Sequence, residues 1–168
     1  MPRKFLVVVD DSPEFEAALR YTARRVRSTG GHLVMLRIIP AAASEAHWAG
    51  VREEIERQTR AEAETTLNAW AAEAAERSGS TPILLIERGE PQACIRKVVG
   101  EDPDIKILVL AAGSSSPGPL VAAVVKQGSG TLADRPPQHI MRSSSEPPRG
   151  ERLRAKRSVS LLTKRSRG

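Results

Sequence analysis

The chain has 168 residues, with 26 Lys and Arg against 20 Asp and Glu, and one cysteine, Cys94. That length can bury a sizeable core without covalent staples, a lone cysteine excludes an intramolecular disulfide, and no apolar run reaches the roughly 18 residues a bilayer span requires. The net charge of +6 is uneven: residues 1–130 carry 16 basic and 17 acidic side chains, residues 131–168 carry 10 and 3.

A short apolar stretch after Arg3 and Lys4 is stopped by Asp10 and Asp11, too soon for a signal peptide, so the N-terminus reads as mature protein. With the reduced cysteine this points to the cytoplasm. Phe5 to Val9 is a continuous apolar run, the pattern of a buried strand. Ser12 and Pro13 then offer a cap hydroxyl and a first-position proline, and Phe15, Ala18, Leu19, Thr22, Ala23 and Val26 keep helical spacing up to Gly30. A second strand runs from Leu33 to Ile39. After an irregular segment, Val51 to about Arg77 is a long helix with Ile55, Thr59, Ala63, Leu67, Trp70 and Ala74 on one stripe. Pro82 to Ile86 is a third strand. Pro91 opens a third helix with Ile95, Val98 and Val99 inward, ended by Gly100. Ile105 to Leu110 is a fourth strand, followed by a Gly/Ser/Pro loop and a short helix from Pro119 to about Lys126.

This βαβαβαβα order predicts an α/β fold: a doubly wound parallel sheet with right-handed crossovers, its ligand site outside the strand C-termini where the strand order reverses. Two domains of unequal character follow, a folded α/β domain over 1–130 and a basic tail over 131–168 that is rich in Arg, Ser and Pro, without sustained period, and expected to be mostly disordered. A fifth strand would fall at Leu132–Ile140, but the consecutive Pro136 and Pro137 forbid a regular central strand there, so that strand is read as missing or replaced.

Two segments carry chemistry. Asp10 and Asp11 close the first strand. Paired acids at this place also hold magnesium in receiver domains, but those need a phosphate-accepting aspartate ending the next-but-one strand. ILLIERG contains none, which disfavours that reading. Capping of the first helix by these carboxylates is the plainer alternative, and is compatible with ligand contact. After the fourth strand, Gly113, Gly118, Gly128 and Ser129 lie where glycines let a backbone approach phosphate and a helix N-terminus supplies free N–H groups. A flexible Gly/Ser surface loop is the competing reading. His32, His47 and His139 share no metal-ligand spacing, and Cys94 has no nearby base, which favours packing. No hydrolase elbow, zincin motif or Walker lysine occurs, so no enzyme is indicated beyond slow cleavage of a bound nucleotide.

VVVDDS closing the first strand, HLVMLRIIP as the second, the long second helix, ERGEPQACIRKVVGEDPDIKILVLAAG and the glycine loop together resemble the universal stress protein family over about residues 3–130. The resemblance implies a five-stranded doubly wound sheet and a cytoplasmic stress-response protein, commonly a homodimer. It implies ATP or a related adenine nucleotide as ligand in the branch with G-x2-G-x9-G-(S/T). Here the loop reads G-x4-G-x9-G-S: the second half fits and the first spacing is two residues longer. Carried over, Asp10 would lie near adenine and ribose, the backbone of Ile38 at the adenine edge, and Gly113, Gly118, Gly128 and Ser129 around the phosphates. The alternative is a stress protein that binds no nucleotide and acts through protein–protein contacts. The altered fifth-strand region implies a weak or altered homodimer. The tail's basic residues are scattered and lack aromatics, which disfavours nucleic acid, and no membrane partner is expected.

Overall fold

The computed structural model describes residues 2–41, 49–112, 120–122, 124, 139–142 and 158–163, the last two segments by their backbone. In chain order these form β1 (Lys4–Val9), α1 (Phe15–Thr29), β2 (His32–Ile39), α2 (Ala49–Ser78), β3 (Ile83–Arg88), α3 (Pro91–Glu101), β4 (Ile105–Ala112), β5 (His139–Arg142) and β6 (Ser158–Thr163). The strands make one sheet in the order β3-β2-β1-β4-β6-β5, and each neighbouring pair is parallel. Residues 120–122 and 124 are helical, inside the range expected for a fourth helix.

The central place of β1 follows from its composition. A strand with helices on both faces has no solvent side, so it must be apolar at every position rather than at alternate ones. Leu6 and Val8 enter the layer shared with Ile95, Val98 and Val99 of α3. Phe5, Val7 and Val9 enter the opposite layer, with Phe15, Leu19 and Val26 of α1 and Leu67 of α2. Val121 and Val124 are buried in the α3 layer.

The predicted inward face of α1 is the observed one: Phe15, Ala18, Leu19, Thr22, Ala23 and Val26 are buried, and Thr22 satisfies its hydroxyl by donating to the Ala18 carbonyl at 2.7 Å. Gly30 ends the helix in the left-handed region at φ 66°, which favours glycine. Its neighbour Gly31 is needed for a different reason. A Cβ there would lie 2.6 Å from the Arg3 carbonyl oxygen and 2.9 Å from the Phe5 ring, so the turn into β2 can pass β1 only without a side chain. At the other end of α1, Ser12 does not cap. The helix begins at Phe15 with Glu14 as its flanking residue and no side-chain cap; the Ser12 hydroxyl donates to Asp10, and the Ser12 carbonyl accepts the Phe15 N–H at 3.1 Å.

Helix α3 is capped by a residue that the proline signal did not identify. The Glu90 carboxylate accepts from the Gln92 and Ala93 N–H groups at 3.0 and 2.7 Å, directly before Pro91. Those two backbone donors hold the Glu90 carboxyl below its ordinary range. The helix runs one residue past Gly100, to Glu101. Asp102 then binds Lys4 at the foot of β1 at 2.7 Å, and this contact raises the Lys4 pKa.

Two differences from the sequence reading concern length and order. Helix α2 buries Ala63, Leu67, Ala74 and Ser78, but Ile55 is exposed although it lies on the predicted stripe. The helix is about 45 Å long at 1.5 Å per residue, whereas an eight-residue strand spans about 26 Å. Its N-terminal part lies at the carboxyl ends of β2 and β3, where Glu56 reaches Arg88 at 3.8 Å, and buries no side chain before Ala63. The second difference lies in the tail. The strand beside β4 is Ser158–Thr163, paired from Ile107↔Ser158 to Ala112↔Thr163, with His139–Arg142 outside it. The fifth-strand position is replaced, by a segment in which no strand was expected. SVSLLT is short, with Val159, Leu161 and Leu162 among hydroxyl residues and Thr163 β-branched, and the open edge of β4 supplies its register. Residues 132–138, including both prolines, lie outside the described residues.

Candidate functional site

Strand order fixes where a ligand crevice must open. From β1 the chain moves outward through β2 to β3, then crosses back by α3 to place β4 on the other side of β1. The connections leaving β1 and β4 therefore diverge to opposite faces, and the gap lies outside their carboxyl ends, at Val9–Asp10 and Ala112.

Asp10 stands at that gap, half-buried. Its Oδ1 accepts the Ser12 N–H at 3.0 Å and the Ser12 hydroxyl at 2.5 Å, which ties the turn after β1 to the carboxylate. The capping alternative is thus only partly realised: Asp10 organises the turn ahead of α1 rather than the helix itself. Asp11 faces the other way. Its Oδ2 lies 2.7 Å from Arg37, whose guanidinium also donates to the Val9 carbonyl at 3.2 Å. The adjacent acids have separate tasks, one inside the crevice mouth and one on the β2 side.

Ile38 lies one residue beyond the point where the β1–β2 ladder stops, at Val9↔Arg37, while β2 continues to Ile39 and keeps pairing with β3 through Ile38↔Glu87. The end of β2 therefore outruns β1 and presents main chain toward the crevice beside Asp10. The Ile38 side chain packs on the α3 layer. Next to it opens a groove of about 400 Å³ between the β2 end and α2, with Asp11, Arg37, Pro40, Thr59 and Glu62 among its lining. Sequence reasoning did not single out Arg37, Thr59 or Glu62. The available signal was Arg37 itself, a cation inside the otherwise apolar run HLVMLRII.

Asp10 and Ile38 are thus brought to the same end of the sheet, two strands that adjoin. Gly113, Gly118, Gly128 and Ser129, with the serines between them, lie outside the described residues, as do His47 and Trp48. Trp70 is half-buried and meets Phe15 edge-to-face, with ring centroids 5.0 Å apart. Cys94 is buried on α3, where burial pushes its thiol pKa up. Among the described residues no three His, Cys, Asp or Glu side chains gather as metal ligands, and no helix is long and apolar enough to cross a membrane.

Known proteins give two kinds of likeness. Solved structures similar to this one include the universal stress protein UspA from Lactobacillus plantarum, at 18% identity and TM-score 0.66 with 97% of each chain covered. They also include a universal stress protein from Archaeoglobus fulgidus, at 22% identity and TM-score 0.56, covering 76% of this chain and 88% of that one. Another is a protein of the same family from Burkholderia pseudomallei, at 14% identity and TM-score 0.56, covering 74% and 87%. Identities this low show the fold alone. Among curated proteins, none matches the chain. The model of the universal stress protein family matches residues 1–125, from β1 through the fourth helix, and this chain belongs to that family.

Proposed function

We propose that the protein is a cytoplasmic stress-response regulator that holds ATP or a related adenine nucleotide in the crevice outside β1 and β4. It acts through its occupied state rather than through turnover. The observation that carries this reading is the placement of Asp10. A carboxylate fixed by Ser12 at the switch point, beside main chain of β2 that outruns β1, suits the hydroxyls of a ribose and the hydrogen-bonding edge of a base. The sequence after β4 adds the Gly118-x9-Gly128-Ser129 spacing, which suits phosphate. The reading is of a binding module rather than an enzyme, because the sequence carries no hydrolase elbow, zincin motif or Walker lysine.

Isothermal calorimetry of the full chain with ATP, ADP and AMP tests it. Binding of at least one of them is expected. Asp10→Ala should weaken it by about tenfold or more, the scale of a lost hydrogen bond to a charged group, and Gly128→Val should weaken the di- and triphosphates most. Absence of heat for every adenine nucleotide at millimolar concentration, with folded protein, would overturn the reading. It would favour the second one, a family member that binds no nucleotide and works through protein contacts. The G-x4-G spacing is the observation on that side.

A further inference from the structure

Side chains alternate along β2, and the alternation gives the end of that strand two different faces. Leu33 and Met35 enter the layer under α1 and α2, so Arg37 and Ile39 follow on that face, whereas Ile38 packs on the α3 layer. The groove of about 400 Å³ takes its lining from the end of β2, from α2 and from Asp11. It is a second concavity beside the crevice outside β1 and β4, and its volume falls within the roughly 300–1,000 Å³ of small-molecule sites.

A cation on this apolar strand face is costly unless something answers its charge. The Arg37 side chain is 19% exposed, and its guanidinium donates to the Val9 carbonyl at 3.2 Å and to Asp11 at 2.7 Å. Among the described residues these contacts use two of the five N–H donors of the fork, which leaves donors for a planar acceptor. Asp11 is 76% exposed, so it forms a surface ion pair that an incoming carboxylate replaces at little cost. The facing wall has the opposite chemistry. Thr59, Glu62, Ala63 and Thr66 recur at intervals of three and four and share one face of α2. Glu62 brings a carboxylate to that wall, and the Thr59 hydroxyl, which donates to the Ile55 carbonyl at 2.7 Å, keeps lone pairs for a donor. Ile39, Pro40 and Ala63 add apolar surface. A plain carboxylate would join Asp11 and Glu62 as a further negative charge, and a plain amine would leave Arg37 paired as before. A molecule that carries both charges answers both walls.

We propose that this groove binds a small apolar amino acid as its zwitterion, with the carboxylate on Arg37 in place of Asp11, the ammonium at Glu62 and Thr59, and the side chain against Ile39, Pro40 and Ala63. Asp11 is then a built-in competitor, which holds Arg37 until a ligand carboxylate takes it.

Calorimetry of the full chain with L-leucine and L-phenylalanine, each up to millimolar concentration, tests this. At least one of them should bind. Their single-charge analogues, 4-methylpentanoate and 3-methylbutylamine for leucine, 3-phenylpropanoate and 2-phenylethylamine for phenylalanine, should bind about tenfold more weakly or worse, the scale of one lost hydrogen bond to a charged group. Arg37→Gln and Glu62→Gln should each weaken the amino acid by a similar factor. Asp11→Asn should tighten it by about threefold, the scale of the surface pair that no longer competes. Asp11 and Glu62 are exposed, so their variants keep the test open even where Arg37→Gln disturbs folding, and an unchanged melting curve shows it. Saturating ATP should leave the amino-acid affinity unchanged, whether or not the crevice holds nucleotide. Absence of heat for both amino acids overturns the proposal. So does a single-charge analogue as tight as its parent, a Glu62→Gln variant with wild-type affinity, an Asp11→Asn variant that binds no tighter, or displacement by ATP.

Discussion

β1 and β6 flank β4 on opposite sides, both parallel to it, yet they come from opposite kinds of sequence. β1 is KFLVVV, buried on both faces, with α1, α2 and α3 packed around it. β6 is SVSLLT, set in a stretch with 10 basic residues among residues 131–168. The first is a strand because of what it is. Its run of apolar β-branched side chains has no stable place except between two helical layers, so its position is written locally. The second is a strand because of what it meets. β4 offers an unpaired row of backbone donors and acceptors, and a short extended segment can satisfy it whatever surrounds that segment in the chain.

That contrast predicts unequal responses to damage. Val7→Asp, which buries a carboxylate among Phe5, Leu19 and Met35 in the α1 layer, should abolish the folded state, an effect beyond about 4 kcal/mol. Far- and near-ultraviolet circular dichroism would report it. Truncation before Ser158 should be milder. The helices and β1–β4 should persist, while the midpoint of thermal unfolding falls by about 10 °C and the exposed β4 edge promotes aggregation. An unchanged melting curve would show that β6 contributes nothing to β4. Gly31→Val attacks β1 from its other side: the added atoms meet the Arg3 carbonyl and the Phe5 ring, and a loss of about 1–3 kcal/mol in urea unfolding is expected, with β6 untouched.

Two smaller effects sharpen the picture on the α3 face. Cys94 should react with a thiol reagent far more slowly in native protein than in denaturant, because burial both shields the sulfur and raises its pKa. Equal rates would mean that α3 opens readily from the sheet. Glu90 has a carboxyl depressed by the Gln92 and Ala93 N–H groups. Such a group contributes stability above its unfolded pKa and loses it as pH falls through its folded one. Glu90→Gln should therefore lower stability slightly at neutral pH and remove a small part of the acid-side decline. Matching pH profiles for the two proteins would contradict the cap.

Most of the sheet and its layers were legible because each element is specified within its own few residues. The α1 stripe from Phe15 to Val26, the Pro91 helix start and the apolar run of β1 are local patterns, and the structure follows them. The failures have non-local causes. Ile55 keeps the helical period of its neighbours, but no period tells how far a helix outruns the sheet below it. Ser12 is a good capping residue in isolation, but its hydroxyl donates to the Asp10 carboxylate two positions away and the helix starts without a side-chain cap. β6 has too few residues to stand out in a basic tail, and its register comes from a strand about 45 residues earlier. At the site, the place of Asp10 at the end of β1 was legible from the acidic stop after the apolar run, whereas Ile38 entered only through the family resemblance. Arg37 and the groove beside it were not legible, since Thr59 and Glu62 reach it from a helix whose rotation over β2 is a tertiary matter.

The late position of β6 also bears on biosynthesis. At translation speeds of about 5–20 residues per second, the roughly 45 residues separating β4 from β6 take several seconds to be added. Throughout that interval the nascent chain has everything needed to assemble β1 to β4 around their helices, but the outer edge of β4, away from β1, is unpaired. An edge of apolar residues such as Leu108 and Leu110 is then open to any extended segment nearby, including one from a neighbouring nascent chain on the same message. Yield of this protein should accordingly depend on how fast ribosomes follow one another, and slower initiation should favour the fraction in which each chain closes its own sheet.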